Sequence, residues 1–446
     1  MSKFYTSYDK KYFHIAIPAA LESIFMILLA SADLIMVGTL GPAAIAAVSI
    51  FLQPRLVLLT VARSMASAVT LLTANKFGAG HTHEINKVMR QAALLSLVVM
   101  GVLHVIFFVL LKDILLIMGA EADYLEQGMA YGTISTVAVF ITSMTLIFQA
   151  VQLGLGQTAV IMKTNLVGNI LNVVCNFFLI FGIGPFPALG VTGAAIGTVL
   201  GASVTLLLTF YVMGHQHFFH QGFIQLPDKG FWKEFFPVAS SVFSELGCER
   251  IGMVLFAKMA ASLGTVPFAV HSICTNICEI YYDFVLGLGK ASMVLAGQSR
   301  GAKNADEWRI YRNAGIKWAL VFSTISFAVT LIFKEELFRI YSSDPESLAM
   351  SGVVMVIVAL ISYPEAHAIV TANVLRGSGK TKLVAVYSFV LITILRPLMT
   401  AFLLYVLDMG LVGAWIAMIL DQSIRAICYS WQIHKLKVET TFDAAA

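Results

Sequence analysis

Eight carboxylates stand inside otherwise apolar stretches: Glu22, Asp33, Glu245, Glu249, Glu279, Asp283, Glu365 and Asp421. Placing an acid in hydrocarbon costs about 2.5–3.5 kcal/mol on insertion scales, so such a group usually carries a proton, holds a cation or pairs with a base. Glu245 and Glu249 lie one helical turn apart, and Glu279 and Asp283 repeat that spacing, with Lys290 two turns further on. Glu365 follows Pro364, where a broken hydrogen-bond ladder can bare carbonyls toward a cation. Asn165, Asn169, Asn172 and Asn176 recur at steps of four, three and four, which lines one face of a helix. That face serves either hydrogen bonds between helices or a polar substrate. Among the bases in apolar runs, Arg63, Arg396 and Arg425 read as pairing or headgroup residues.

The elements that position these groups follow from composition. Hydrophobic residues make up 59% of the 446 and charged ones 12%, against roughly 45–50% and about 25% in soluble domains. So little charge cannot cover a water-facing surface, and the chain reads as a polytopic membrane protein. Apolar runs long enough to cross about 30 Å of hydrocarbon occur at 14–37, 45–74, 91–112, 128–152, 159–182 and 191–213. A second set follows at 234–260, 267–298, 314–334, 349–374, 382–406 and 411–433. Twelve spans imply an all-α integral membrane protein. The first holds Glu22 and Asp33 and exceeds a signal-peptide core, so it reads as an uncleaved span. Nineteen lysines and arginines, Lys3 and Lys437 included, fall on one side against Lys112, Lys334 and Arg339 on the other. The positive-inside rule then places both termini in the cytoplasm.

A shift of 223 residues superimposes the chain on itself: Leu40-Gly41 on Leu263-Gly264, Gly78-Ala79 on Gly301-Ala302, and Gly154, Gly156 and Thr158 on Gly377, Gly379 and Thr381. Gly190 and Gly193 match Gly410 and Gly413 at 220. The halves are 1–223 and 224–446, each with six spans, an even number that gives them one orientation. We expect two six-helix bundles related by a parallel pseudo-twofold repeat, with a central cleft that opens to alternate sides.

The string Ala32-Asp33-Leu34-Ile35-Met36-Val37-Gly38, with Leu40-Gly41 and Ala46-Ala47-Val48-Ser49, resembles the first-helix signature of the multidrug and toxic compound extrusion (MATE) family. Phe77-Gly78-Ala79-Gly80, Gly154-Leu155-Gly156-Gln157-Thr158 and Leu375-Arg376-Gly377 carry the same resemblance through nearly the whole chain. The resemblance keeps an aspartate at Asp33 and implies a proton or substrate role there. Where the DinF-like branch has an aspartate, Asn176 stands. Glu249 and Glu365 match the acidic positions of helices 7 and 10 in the NorM-like branch, Glu365 being a methylene longer than the usual aspartate. Glu279 and Asp283 fall outside that pattern; they are extra site acids or partners of Lys290.

These readings converge on a secondary active antiporter that exports amphipathic, often cationic compounds. The implied coupling cation is a proton or sodium, carried by Glu249, Glu365 and Asp33 with Glu245, Asp283 and Glu279; Asp33, Asn172 and Asn176 are the implied substrate contacts. A lipid-linked precursor flippase is the alternative; twelve spans and acid-rich helices argue against it. No enzyme motif appears, and no cofactor or bound metal is expected. A net charge of +4 is no nucleic-acid footprint. The implied setting is a monomer in the lipid bilayer of a bacterial inner membrane. Three motifs carry no function on this reading. Arg376–Thr381 resembles a phosphate loop but has Val374 at the required first glycine. His215, His217 and His220 sit in a linker, and Cys274 and Cys278 read as packing residues.

Overall fold

A computed structural model describes residues 6–216, 218 and 222–436. Lys3, Lys437, His217 and His220 lie outside the described residues. The first half runs α1 (Ser7–Gly38), α2 (Pro42–Gly78), α3 (Thr82–Val109), α4 (Leu111–Ile117), α5 (Ala122–Gly154), α6 (Thr158–Phe181) and α7 (Gly190–His215). The second runs α8 (Lys229–Ala261), α9 (Thr265–Gly301), α10 (Ala305–Ile332), α11 (Lys334–Arg339), α12 (Pro345–Gly377), α13 (Thr381–Ser388), α14 (Arg396–Ala401) and α15 (Gly410–Lys435). Two π-helical segments, Phe389–Leu395 and Phe402–Val406, join α13 and α14 into one continuous stretch. No strand occurs among the described residues.

All twelve expected spans are helical, and ten of these helices are long and apolar enough to cross a membrane. The other two are α8, which carries Glu245, Glu249, Arg250 and Lys258, and α9, which carries Glu279, Asp283, Lys290 and Arg300. They are the helices whose charges the sequence singles out for chemistry. In the π segments, Arg396 N–H reaches the Leu391 carbonyl and Leu407 N–H the Phe402 carbonyl, five residues back. Pro397 follows directly and has no N–H to offer, so the ladder around it is already interrupted.

The repeat is present element by element. α2 and α9 are both 37 residues long, α3 and α10 both 28, and α5 and α12 both 33, each pair starting 223 residues apart. α7 and α15 are both 26 residues, displaced by 220. Matched glycines have one physical cause in both halves. A Cβ on Gly154 would stand 2.8 Å from the Thr70 carbonyl oxygen, and one on Gly377 would stand 2.4 Å from that of Met293. Thr70 and Met293 are themselves 223 apart, so the same helix crossing demands glycine twice.

The described chain divides into two compact units. One comprises Leu21–Phe77 and His81–Ala239; the other takes the residues up to Ala20, Gly78–Gly80 and everything from Ser240 onward. The expected division at 223/224 thus falls within a segment that the first unit keeps through Ala239. In the first unit α5 packs on α3 and α7, and α7 packs on α6. In the second, α12 packs on α10 and α15, the same scheme after the shift, and also on α9. Parallel neighbours recur as well. α1 and α6 bond through Glu22–Asn165, Met26–Asn169 and Asp33–Asn176, always 143 residues apart. α8 and the α13–α14 stretch bond through Glu245–Ser388, Met253–Arg396 and Ser262–Tyr405, again 143 apart.

Candidate functional site

In the first unit the site is a polar seam between α1 and α6. Side chains three or four apart on a helix share a face, so the asparagine run of α6 meets α1 at successive turns. Asn176 donates from Nδ2 to Asp33 Oδ1 at 2.8 Å. Its own Oδ1 is buried without a hydrogen-bond partner. That oxygen stands 1.9 Å from where a Cβ on Gly197 of α7 would be, so glycine makes the space for the amide. Asn165 donates to Glu22 and accepts from Gln149 Nε2 at 2.7 Å, which fixes its amide orientation. Asn169 contacts the Met26 sulfur at 2.9 Å. Asn172 is engaged differently, donating to Thr198 Oγ1 on α7 at 3.3 Å. Glu22, Phe25, Met26, Leu29, Asn165 and Asn169 line a narrow crevice along this seam. Arg55 of α2 lies within electrostatic range of Asp33.

The second unit holds a charged network. Glu245 of α8 is ion-paired with Arg376 of α12 and accepts from Ser388 Oγ at 3.3 Å. Glu249, one turn on and half-buried, accepts from Tyr282 Oη at 3.2 Å. The two glutamates that sequence spacing treats alike are therefore different: one is bound into a salt bridge, the other holds a single phenol. Glu365 of α12 is 2% exposed. Its Oε1 accepts from Gln422 Nε2 of α15 at 3.3 Å, and Cys278 Sγ of α9 lies 3.8 Å from Oε2. Cys278 is thus a contact of the acid, where sequence reading gave it packing alone.

Further along α15, Asp421 is fully buried and accepts from Arg396 Nε at 3.0 Å, with Arg425 Nε at 3.8 Å. Arg425 also donates to Gln422 Oε1. Asp421, Arg425, Gln422 and Glu365 form an unbroken chain of contacts. The pairing expected of Arg396 and Arg425 is present, in protein rather than at headgroups. Glu279 is exposed on α9, with Asp283 and Arg250 as its charged neighbours, and adjoins Cys278, the thiol at Glu365. Beside Pro364, the Ser362 carbonyl accepts from Ser323 Oγ at 2.9 Å and Tyr281 Oη at 3.2 Å, so hydroxyls occupy it. His215 packs edge-on against Tyr211 at 4.6 Å.

Sequence reasoning missed Gln149, Tyr282 and Gln422. The signal for Gln422 was its place between Asp421 and Arg425 in an apolar run; Gln149 and Tyr282 gave none, since uncharged polar residues are common in such helices.

The MatE family model matches this chain twice, at residues 18–178 and 241–402. The chain belongs to the MatE family. The two matches fall one in each repeat, as the shift of 223 requires. Curated MatE relatives include a probable multidrug resistance protein NorM of Thermotoga maritima, 25% identical over 94% of this chain and 90% of its own length. The multidrug resistance protein NorM of Vibrio cholerae is 24% identical over 96% and 95%. Among solved structures, an outward-facing multidrug resistance MATE transporter of the MOP superfamily matches with TM-score 0.88 at 18% identity, covering 98% of this chain and 97% of its own. A MOP superfamily transporter from Pyrococcus furiosus, described as having a binding pocket of reversed polarity, matches with the same score, identity and coverage. The likenesses to solved structures carry the fold, an all-helical, multi-pass membrane protein; the family match makes it one of a family of transporters rather than enzymes.

Proposed function

We propose that this MatE protein is a secondary active antiporter that exports amphipathic, often cationic compounds by alternating access. Its coupling cation is a proton or sodium, and it needs no other cofactor. The observation that carries the reading is Glu365, a carboxylate buried in a helix bundle whose direct partners are the uncharged Gln422 and Cys278. An acid so placed changes its interactions with the whole unit when its charge is cancelled and restored. Glu249 shares the work from α8, and Asp33 with Asn172 and Asn176 supplies polar contacts for substrate in the first unit. The relatives' names as multidrug resistance proteins support the substrate class. One charge falling through about 100 mV yields about 2.3 kcal/mol, enough for a concentration ratio near fifty, since about 1.4 kcal/mol is tenfold. We place the protein in a bacterial inner membrane as a monomer, both termini cytoplasmic.

The test uses purified protein in liposomes with ethidium as the probe cation, under separately imposed proton and sodium gradients. One of the gradients should drive ethidium movement, and Glu249→Gln and Glu365→Gln should each abolish it. The double variant should be little worse than either single, because groups that act as one unit are not additive. Both single variants moving ethidium at the normal gradient-driven rate would sink the proposal.

A further inference from the structure

The partners of Glu365 bear on which cation it takes. Arg425 has only N–H donors, so the Gln422 atom that meets it must be the amide oxygen. The amide NH₂ is then turned to Glu365, where Nε2 lies 3.3 Å from Oε1. On the other side Glu365 Oε2 meets the Cys278 thiol at 3.8 Å. Both neighbours therefore present hydrogen-bond donors to the carboxylate. The Gln422 Oε1 atom, an oxygen that could help bind a hard metal cation, is held by a guanidinium. Hard cations want several oxygen ligands; the Ser362 carbonyl already accepts two hydroxyls and Glu249 accepts a phenol.

Charge gives the same answer. The ionisable groups in range of Glu365 are Glu249 on α8, Cys278 on α9, Arg396 on α14 and Arg425 on α15, with Tyr281 and Tyr282 on α9. Asp421 offsets one of the two guanidiniums. With Glu249 and Glu365 both ionised, three carboxylates face two guanidiniums, and a single added positive charge neutralises the set. A proton supplies that charge without needing oxygen ligands, whereas sodium would sit beside Arg425.

We propose that Gln422 and Arg425 are positioning residues that exclude sodium from Glu365 and so leave a proton as its coupling cation. Arg425 locks the Gln422 amide with its NH₂ toward the carboxylate, and its fixed charge repels a metal cation. This rests on Glu365 being the coupling acid, and the experiment separates the two ideas. Infrared difference spectroscopy on the purified full chain reads the carboxylic-acid stretch that disappears in Glu365→Gln, with sodium chloride exchanged for choline chloride at constant pH. In the unsubstituted protein the band should be the same in both salts. Arg425→Gln removes the charge and frees the amide to turn, so sodium should now weaken the band at least tenfold more than choline does, an opposite charge within about 4–6 Å being worth that much or more. Arg425→Lys keeps the charge and should restore indifference to sodium, which a merely structural arginine would not do. Sodium bleaching the band in the unsubstituted protein overturns the inference while leaving Glu365 as the coupling acid. That comparison needs no variant to fold beyond Glu365→Gln, which identifies the band. If Glu365→Gln removes no band yet ethidium movement persists, the reading of Glu365 itself has failed.

Discussion

Asp421 is the residue whose loss should destabilise the protein most, and the structure sets the size and order of the effect. Its side chain is fully buried, pairs with Arg396, itself 2% exposed, and lies 3.8 Å from Arg425 Nε. Asp421→Asn preserves shape but leaves two guanidiniums without their shared carboxylate. Breaking a buried pair from one side costs about 3–5 kcal/mol, which is two to three and a half powers of ten in the folded-to-unfolded ratio at about 1.4 kcal/mol each. Arg396→Leu is the gentler perturbation. Asp421 then keeps Arg425, and the loss reduces to charge-assisted hydrogen bonds worth about 1.5–3 kcal/mol. The double variant Asp421→Leu/Arg396→Leu should cost less than the sum of the singles, because loss of Asp421 alone strands Arg396, which the double removes. The assay is unfolding of the purified protein in dodecylmaltoside with rising dodecyl sulfate, followed by helical circular dichroism. Arg396→Leu proving as damaging as Asp421→Asn would refute the view that Asp421 serves two arginines at once.

Two further outcomes follow from close approaches at glycine. Gly197→Ala would put a methyl 1.9 Å from Asn176 Oδ1 and push that amide off Asp33; ethidium movement in liposomes should fall as in Asp33→Ala while the protein still reaches the membrane, and normal movement in Gly197→Ala would demote the Asn176 contact. Gly377→Ala forces a Cβ to within 2.4 Å of the Met293 carbonyl oxygen, an overpacking that should cost about 1–3 kcal/mol in the same unfolding assay, whereas alanine at Gly352, which has open space around it, should cost no more than a few tenths.

Several features of the protein were settled by the sequence alone. Hydropathy located all twelve long helices, because span length is a property of one local stretch against a fixed bilayer thickness. The shift of 223 located the repeat, because matched glycines mark matched helix crossings, as Gly154 and Gly377 now demonstrate. The eight acids within apolar runs were also legible, since a charge in an apolar run stands out against its neighbours. What periodicity could not supply was the partner. It tells which residues share a helix face, but not which helix that face meets or at what height. Glu245 and Glu249 were equivalent by spacing, yet α12 brings Arg376, 131 residues away, to the first, while the second meets Tyr282, 33 residues on. The partners of Gln422 were hidden for the same reason: its place between two charges marks the amide, but only packing puts a guanidinium on its oxygen and a carboxylate beside its nitrogen. The π turns around Arg396 were likewise decided in three dimensions, where an extra residue per turn lets the helix run past Pro397 with Arg396 buried against Asp421. Local pattern fixes which segments cross the membrane, and tertiary packing alone fixes which charges are neutralised and which remain to do work.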